Sequence, residues 1–222
     1  MTKREALQRI ADVGICPVVR LPSEELAFAA ADALCDGGIP IAEITMTVPG
    51  ALRVIEQLAR ARHHILVGAG TVLESDTARR CIEAGAQFIV TPGFDAETVR
   101  LANSQQLLIM AGALTPTEVI TAWRAGADLV KVFPCANVGG PKYIAALRGP
   151  LPQIPMVPTG GVNLKTAADF IRAGSVALGV GGELVSIAAL SAGRTAEITD
   201  TARQYIRIVQ EARSYQSDAA AR

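Results

Sequence analysis

The sequence predicts an α/β fold: a (β/α)8 barrel with an extra N-terminal helix, forming a single domain over residues 1–222. Three observations carry that expectation. Short runs rich in Val and Ile alternate with Ala-rich amphipathic stretches along the whole chain, the pattern of strand-helix units with parallel strands. The count of such runs is eight, near 15–20, 41–45, 65–70, 88–91, 108–111, 129–133, 156–158 and 177–180. Small-residue helix stops at Gly37, Gly85, Gly126 and Gly174 are separated by 48, 41 and 48 residues. Each interval holds two strand-helix units, a weak quarter repeat in which glycine supplies the left-handed stop. Eight such units close as a TIM barrel. A doubly wound open sheet is the runner-up, but it expects a glycine fingerprint after the first strand, where this chain reads Val19-Arg20-Leu21-Pro22.

Taken in order, the N-terminal MTKREALQRIADVGI alternates charged and apolar residues like an amphipathic helix and lacks the long apolar core of a secretory leader. Later helices open on caps: Ser23 before Glu24 and Glu25, Ser75 before Asp76, and Thr115-Pro116-Thr117-Glu118, a capping box with Pro at the first helical position.

Composition narrows the function classes. Half of the 222 residues are apolar and 19% are charged, which excludes a disordered chain. Lys plus Arg balances Asp plus Glu at 21 each, so there is no surplus charge to hold a nucleic-acid backbone or an anionic membrane. No uninterrupted apolar run reaches membrane-spanning length. Cys16, Cys35, Cys81 and Cys135 form no CxxC pair and no metal spacing, and read as reduced thiols of a cytoplasmic protein. The only histidines, His63 and His64, are adjacent in a helix-to-strand turn, which excludes a metal site built on several histidines.

In a barrel of this kind reactive groups lie at the C-terminal ends of strands. The polar residues that interrupt or end the apolar runs are Arg20, Glu43, Thr45, Thr71, Thr91, Lys131 and Thr159. Of only four lysines, Lys131 alone sits inside an apolar run, Leu129-Val130-Lys131-Val132-Phe133. An amine taken out of water favours its neutral form, a nucleophile toward carbonyls that gives a Schiff base. Glu43 is the only carboxylate in the middle of a predicted strand, and strands 2 and 6 are both even-numbered, so the two side chains can meet in the interior. Such a pair can shuttle protons through carbinolamine, imine and enamine stages, and a buried structural ion pair predicts the same geometry. Glycine-rich turns follow strand 7 (Thr159-Gly160-Gly161-Val162) and strand 8 (Gly179-Val180-Gly181-Gly182), where paired backbone amides would form a phosphate cradle. Arg20, the only arginine at the C-terminal end of a predicted strand, can grip a carboxylate bidentately from the rim of strand 1, with Thr71 adding a hydroxyl, or can simply pair with Glu43 or a loop carboxylate. Cys135 lacks a histidine to activate it and reads as a loop filler.

Five segments carry a family resemblance: EITMTVPGA at 43–51, VGAGTVL at 67–73, GAQFIVTPGF at 85–94, LVKVFP at 129–134 and VPTGGVN at 157–163. From about Ile15 to Val185 the chain resembles the 2-keto-3-deoxy-6-phosphogluconate aldolases, a class I family that includes 4-hydroxy-2-oxoglutarate aldolases. The resemblance implies a homotrimer of (β/α)8 subunits in carbohydrate metabolism. Each would cleave a 2-keto-4-hydroxy acid to pyruvate and an aldehyde with neither metal nor cofactor. It implies Lys131 as the Schiff-base lysine, Glu43 as general acid/base, Thr71 near the bound pyruvate, Pro92 and Phe133 as pocket walls, and Thr159, Gly160 and Gly161 at the phosphate end. Two departures stand out. Thr47 occupies a position where some members carry a carboxylate-binding Arg, and Gly182-Glu183 replaces a turn in which many members have Ser after the glycine. The rival enzymatic reading is a metal-free phosphate-binding isomerase or synthase barrel with Glu43 as base and Lys131 as electrostatic stabiliser. A catalytically silent barrel would not need both residues.

Overall fold

The computed structural model describes residues 1–220. Eight strands form one all-parallel sheet: β1 (Ile15–Val19), β2 (Ile41–Thr45), β3 (Leu66–Gly70), β4 (Phe88–Val90), β5 (Leu108–Ala113), β6 (Leu129–Val132), β7 (Met156–Pro158) and β8 (Leu178–Val180). Neighbours in space are neighbours in sequence from β1 to β7, and β8 pairs back onto β1. Closure between β7 and β8 rests on the Thr159–Gly179 bridge and on Val176 N–H donating to the Met156 carbonyl at 3.1 Å. Every strand residue is buried, as expected of parallel strands covered by helices outside and by side chains within. Inside the barrel the Phe88 ring takes the space beside Gly68, where a Cβ would lie 2.3 Å from the ring.

The extra N-terminal helix is α1 (Lys3–Val13), started by a reciprocal Thr2–Glu5 capping box and stopped by left-handed Gly14. It packs on β1 and β5 and is pinned by Lys3, which pairs with Asp128 at 2.9 Å, and by Arg9, which donates to the His64 carbonyl. The outer ring runs α2 (Glu24–Asp36), α3 (Ala51–Ala61), α4 (Ser75–Glu83), α5 (Ala96–Ser104), α6 (Pro116–Arg124), α7 (Pro141–Arg148) and α8 (Ala167–Arg172). After β8 come short α9 (Ile187–Ser191) and long α10 (Thr195–Ala220). Helix α10 lies across α8 and α2 and buries Tyr205, while Arg213 ties it to the carbonyls of Ala11, Asp12 and Val176.

Local expectations hold with three corrections. Ser23 caps α2 and Thr115 caps α6 in a full capping box with Pro116 at its start. Ser75 is not a cap: α4 begins on it, Glu74 occupies the extended cap position, and no side chain closes that end. Gly85, Gly126 and Gly174 adopt left-handed φ of 100°, 97° and 95°, but the left-handed stop after α2 falls on Gly38 (φ 90°) rather than Gly37. Gly37 is needed for a different reason, since a Cβ there would lie 2.5 Å from Ala202 Cβ on α10. Third, β5 runs to Ala113, two residues past its predicted end, because its last residues pair with β6 through Lys131 and Val132.

Candidate active site

At the C-terminal ends of the strands the barrel opens into a cavity of about 480 Å³. Its lining includes Arg20, Thr71, Pro92, Lys131, Phe133, Thr159, Gly160, Gly161, Gly181 and Gly182, so every sequence-selected site residue reaches it except Glu43, which lies buried next to Lys131. Thr47 and Glu183, the two departures, also line it.

Lys131 sits on β6 between Gly112 of β5 and Val157 of β7, and Glu43 on β2 between Val18 of β1 and Gly68 of β3. Period-two alternation turns both inward. Lys131 Nζ lies 3.8 Å from Glu43 Oε1, with side-chain exposures of 6% and 2%. At that separation the charges attract, but Oε1 accepts no hydrogen bond. A proton passing between them needs a bridging substrate oxygen or water. Burial pushes the Glu43 carboxyl above its ordinary value, against the pull of Lys131, Cys16 and Arg20. The Lys131 ammonium also stands 5.5 Å from the Phe133 ring centroid, a cation–π contact at the cavity wall.

On the rim, Arg20 follows β1 directly and is exposed, and its guanidinium donates to Thr71 Oγ1 at 3.4 Å. Thr71 holds a left-handed backbone, φ 56°, an unfavourable conformation for a β-branched residue and the kind of local strain that collects at functional sites. Arg20 makes no ion pair with Glu43 or a loop carboxylate among the described residues, which leaves its charge facing the cavity.

The opposite end is built from the two glycine turns. Gly160 and Gly161 have φ of 90° and 77°, and a Cβ on Gly161 would lie 2.2 Å from Ala136 Cβ. Gly181 and Gly182 have open space where a side chain would stand. None of these four amides donates in the turn hydrogen bonds that hold the loops, so all remain available as donors.

Two polar strand residues prove structural. Thr45 donates to the Val19 carbonyl at 3.1 Å and bonds Thr47 Oγ1 at 2.8 Å, and Thr91 accepts from the Gly112 amide at 2.9 Å. Cys135 is buried, its thiol pushed up to about 11 by burial and directed at the Gly140 carbonyl, as a loop filler should be. Sequence reasoning missed the site contacts of Val18 and Cys16. Period two along β1 was the available signal, since Cys16, Val18 and Arg20 share one face. Among the described residues no three His, Cys, Asp or Glu side chains gather to hold a metal ion, and no helix is long and apolar enough to cross a membrane.

The family model for KDPG and KHG aldolases matches residues 7–201. A 2-dehydro-3-deoxy-phosphogluconate aldolase of Pseudomonas aeruginosa is 34% identical over 201 residues, 90% of this chain and 91% of that one. Among solved structures, KDPG aldolase from Legionella pneumophila, with pyruvate captured as a covalent carbinolamine, superposes with a TM-score of 0.83 at 28% identity, covering 89% of this chain and 96% of that one. A cube-shaped cage designed by fusing symmetric oligomeric domains superposes at 0.86 with 28% identity, covering 94% and 76%. With a match along most of its length and a buried lysine-carboxylate pair under the barrel mouth, the chain belongs to the KDPG and KHG aldolase family.

Proposed function

We propose that this protein is a class I aldolase that cleaves a 2-keto-4-hydroxy acid, of the 2-keto-3-deoxy-6-phosphogluconate or 4-hydroxy-2-oxoglutarate type, to pyruvate and an aldehyde. The observation that carries the reading is the 3.8 Å approach of Lys131 Nζ to Glu43 Oε1 at the buried end of an open cavity. Lys131 passes its ammonium proton to Glu43 through a bridging water, the neutral amine attacks the C2 carbonyl, and the protonated Glu43 returns that proton to the carbinolamine hydroxyl, which departs as water and leaves Glu43 ionised. In the imine, Glu43 takes the C4 hydroxyl proton through a water. The C3–C4 bond then breaks, its electrons pass into the enamine, and the aldehyde leaves. Protonation of C3 and hydrolysis return pyruvate and free Lys131.

Arg20 and Thr71 receive the carboxylate end of the substrate, Pro92 and Phe133 wall the middle, and Thr159 with the amides of Gly160, Gly161, Gly181 and Gly182 receives a phosphate at the far end. The family match favours the aldolase reading over the isomerase or synthase alternative. We extend the reading to a single-domain subunit of a homotrimer, working in cytoplasmic carbohydrate metabolism. The resemblance, the oligomeric character of the cage's domains, and four free cysteines suited to a reducing compartment support this.

Borohydride reduction in the presence of pyruvate, followed by peptide mass mapping, tests the mechanism. The adduct is expected on Lys131 among Lys3, Lys131, Lys142 and Lys165. An adduct elsewhere, or none, overturns it.

A further inference from the structure

The Glu43 carboxylate is buried with few polar neighbours. Oε1 faces Lys131 Nζ at 3.8 Å without a hydrogen bond, and the donor to Oε2 is the thiol of Cys16, with Sγ at 3.8 Å. Among the described residues no backbone amide donates to the group. The terminal torsion of a glutamate is broad and nearly two-fold, so packing alone does not decide which oxygen looks at the lysine. Gly70, which has no side chain to wedge the group, does not decide it either.

Cys16 lies on β1, fully buried, in register with Gly179 of β8, and period two brings it to the face it shares with Val18 and Arg20. The titratable groups facing the carboxylate are Cys16 from β1, Arg20 from the end of β1, and Lys131 from β6. Burial, reinforced by the neighbouring carboxylate, keeps the Cys16 thiol protonated, which makes it a donor and not a nucleophile.

We infer that Cys16 is a positioning residue for the general acid/base. Its S–H donates to Oε2 of Glu43 and leaves Oε1 as the oxygen that exchanges protons with the substrate at Lys131. The inference rests on the aldolase reading above and adds a third member to the catalytic pair. A donor to the ionised form also opposes desolvation, so Cys16 keeps Glu43 available as a base to lower pH than burial alone would allow.

The test compares the parent with Cys16→Ala and Cys16→Ser, following pyruvate methyl-proton exchange against pH and borohydride trapping on Lys131. For Cys16→Ala the acid limb of the exchange rate should move up by roughly half to one pH unit, the scale of one lost hydrogen bond. Its rate below neutrality should fall several-fold, with the pyruvate concentration at half-saturation unchanged within about twofold. Cys16→Ser, which restores a donor, should return the limb toward the parent position. A Cys16→Ala limb that superimposes on the parent's overturns the inference while leaving the aldolase reading intact. Absence of a Lys131 adduct in the parent overturns the reading itself.

Should Cys16→Ala fail to fold, the parent supplies an independent measurement in its infrared S–H stretching band, identified as the one missing from Cys16→Ser. It should shift as pH falls through the acid limb, when Glu43 becomes a weaker acceptor. A band that stays fixed across that range overturns the assignment.

Discussion

Gly70 on β3 stands against the carboxylate of Glu43 on β2, so close that a Cβ at position 70 would lie 2.0 Å from Oε1. Close approach, and not an unusual backbone angle, is what requires glycine here. Gly70→Ala should therefore act as a remote lesion of Glu43. Aldol cleavage should fall by roughly 10²–10⁴-fold, the size of a general acid/base contribution. The fold should survive with a loss of roughly 1–3 kcal/mol for overpacking. Cleavage kinetics and a thermal melt check both halves, and parent-like turnover in the alanine variant would show that Oε1 is not the working oxygen.

Burial raises the Glu43 carboxyl above its ordinary value. Because the base is the ionised form, its fraction drops as pH falls through that raised value, and activity should show an acid limb above the ordinary carboxylate range. Glu43→Gln should abolish the limb, slow pyruvate methyl-proton exchange by roughly 10²–10⁴-fold, and still permit some imine on Lys131. Exchange measured by NMR at the parent rate would reduce Glu43 to half of a structural ion pair.

The barrel and this pair were legible because each rests on a pattern the chain states locally. Eight apolar runs, their glycine stops, and one lysine and one carboxylate inside strands need only periodicity to interpret. What escaped depends on contacts between distant segments. Gly37 looked like a helix stop, but its lack of a side chain serves the approach of Ala202, 165 residues away. Cys16 reads in the sequence only as one of four reduced thiols, because nothing within β1 reveals the carboxylate of β2 beside it. Thr71 gave no hint of its left-handed backbone, since β-branched residues argue against it locally.

Arg20 is the cation at the cavity rim, and its contact with Thr71 points both donors at the same space. Arg20→Lys should keep the charge and lose the planar fork. Pyruvate saturation should weaken by roughly 10- to 100-fold, as expected for losing a hydrogen bond to a charged group, with the trapped imine still on Lys131. Unchanged half-saturation in a titration of imine formation would move the carboxylate site away from Arg20.

The far end of the cavity sets an attraction against a repulsion. The amides of Gly160, Gly161, Gly181 and Gly182 are free to donate to an anion, while the exposed carboxylate of Glu183 lines the same space. Several preorganised donors outweigh one solvent-screened charge, so the phosphorylated keto acid should be cleaved with higher kcat/KM than its dephosphorylated form. The Glu183 charge should nonetheless be felt. Glu183→Gln should raise kcat/KM for the phosphorylated substrate by roughly two- to five-fold at low salt, with the gain shrinking as salt screens it and little effect on the dephosphorylated form, whose remaining charge lies at the Arg20 end. Steady-state kinetics on both substrates at two ionic strengths decide the matter. Equal efficiency for the two, insensitive to Glu183, would assign this end to an unphosphorylated aldehyde, with the carboxylate accepting hydrogen bonds from its hydroxyl groups.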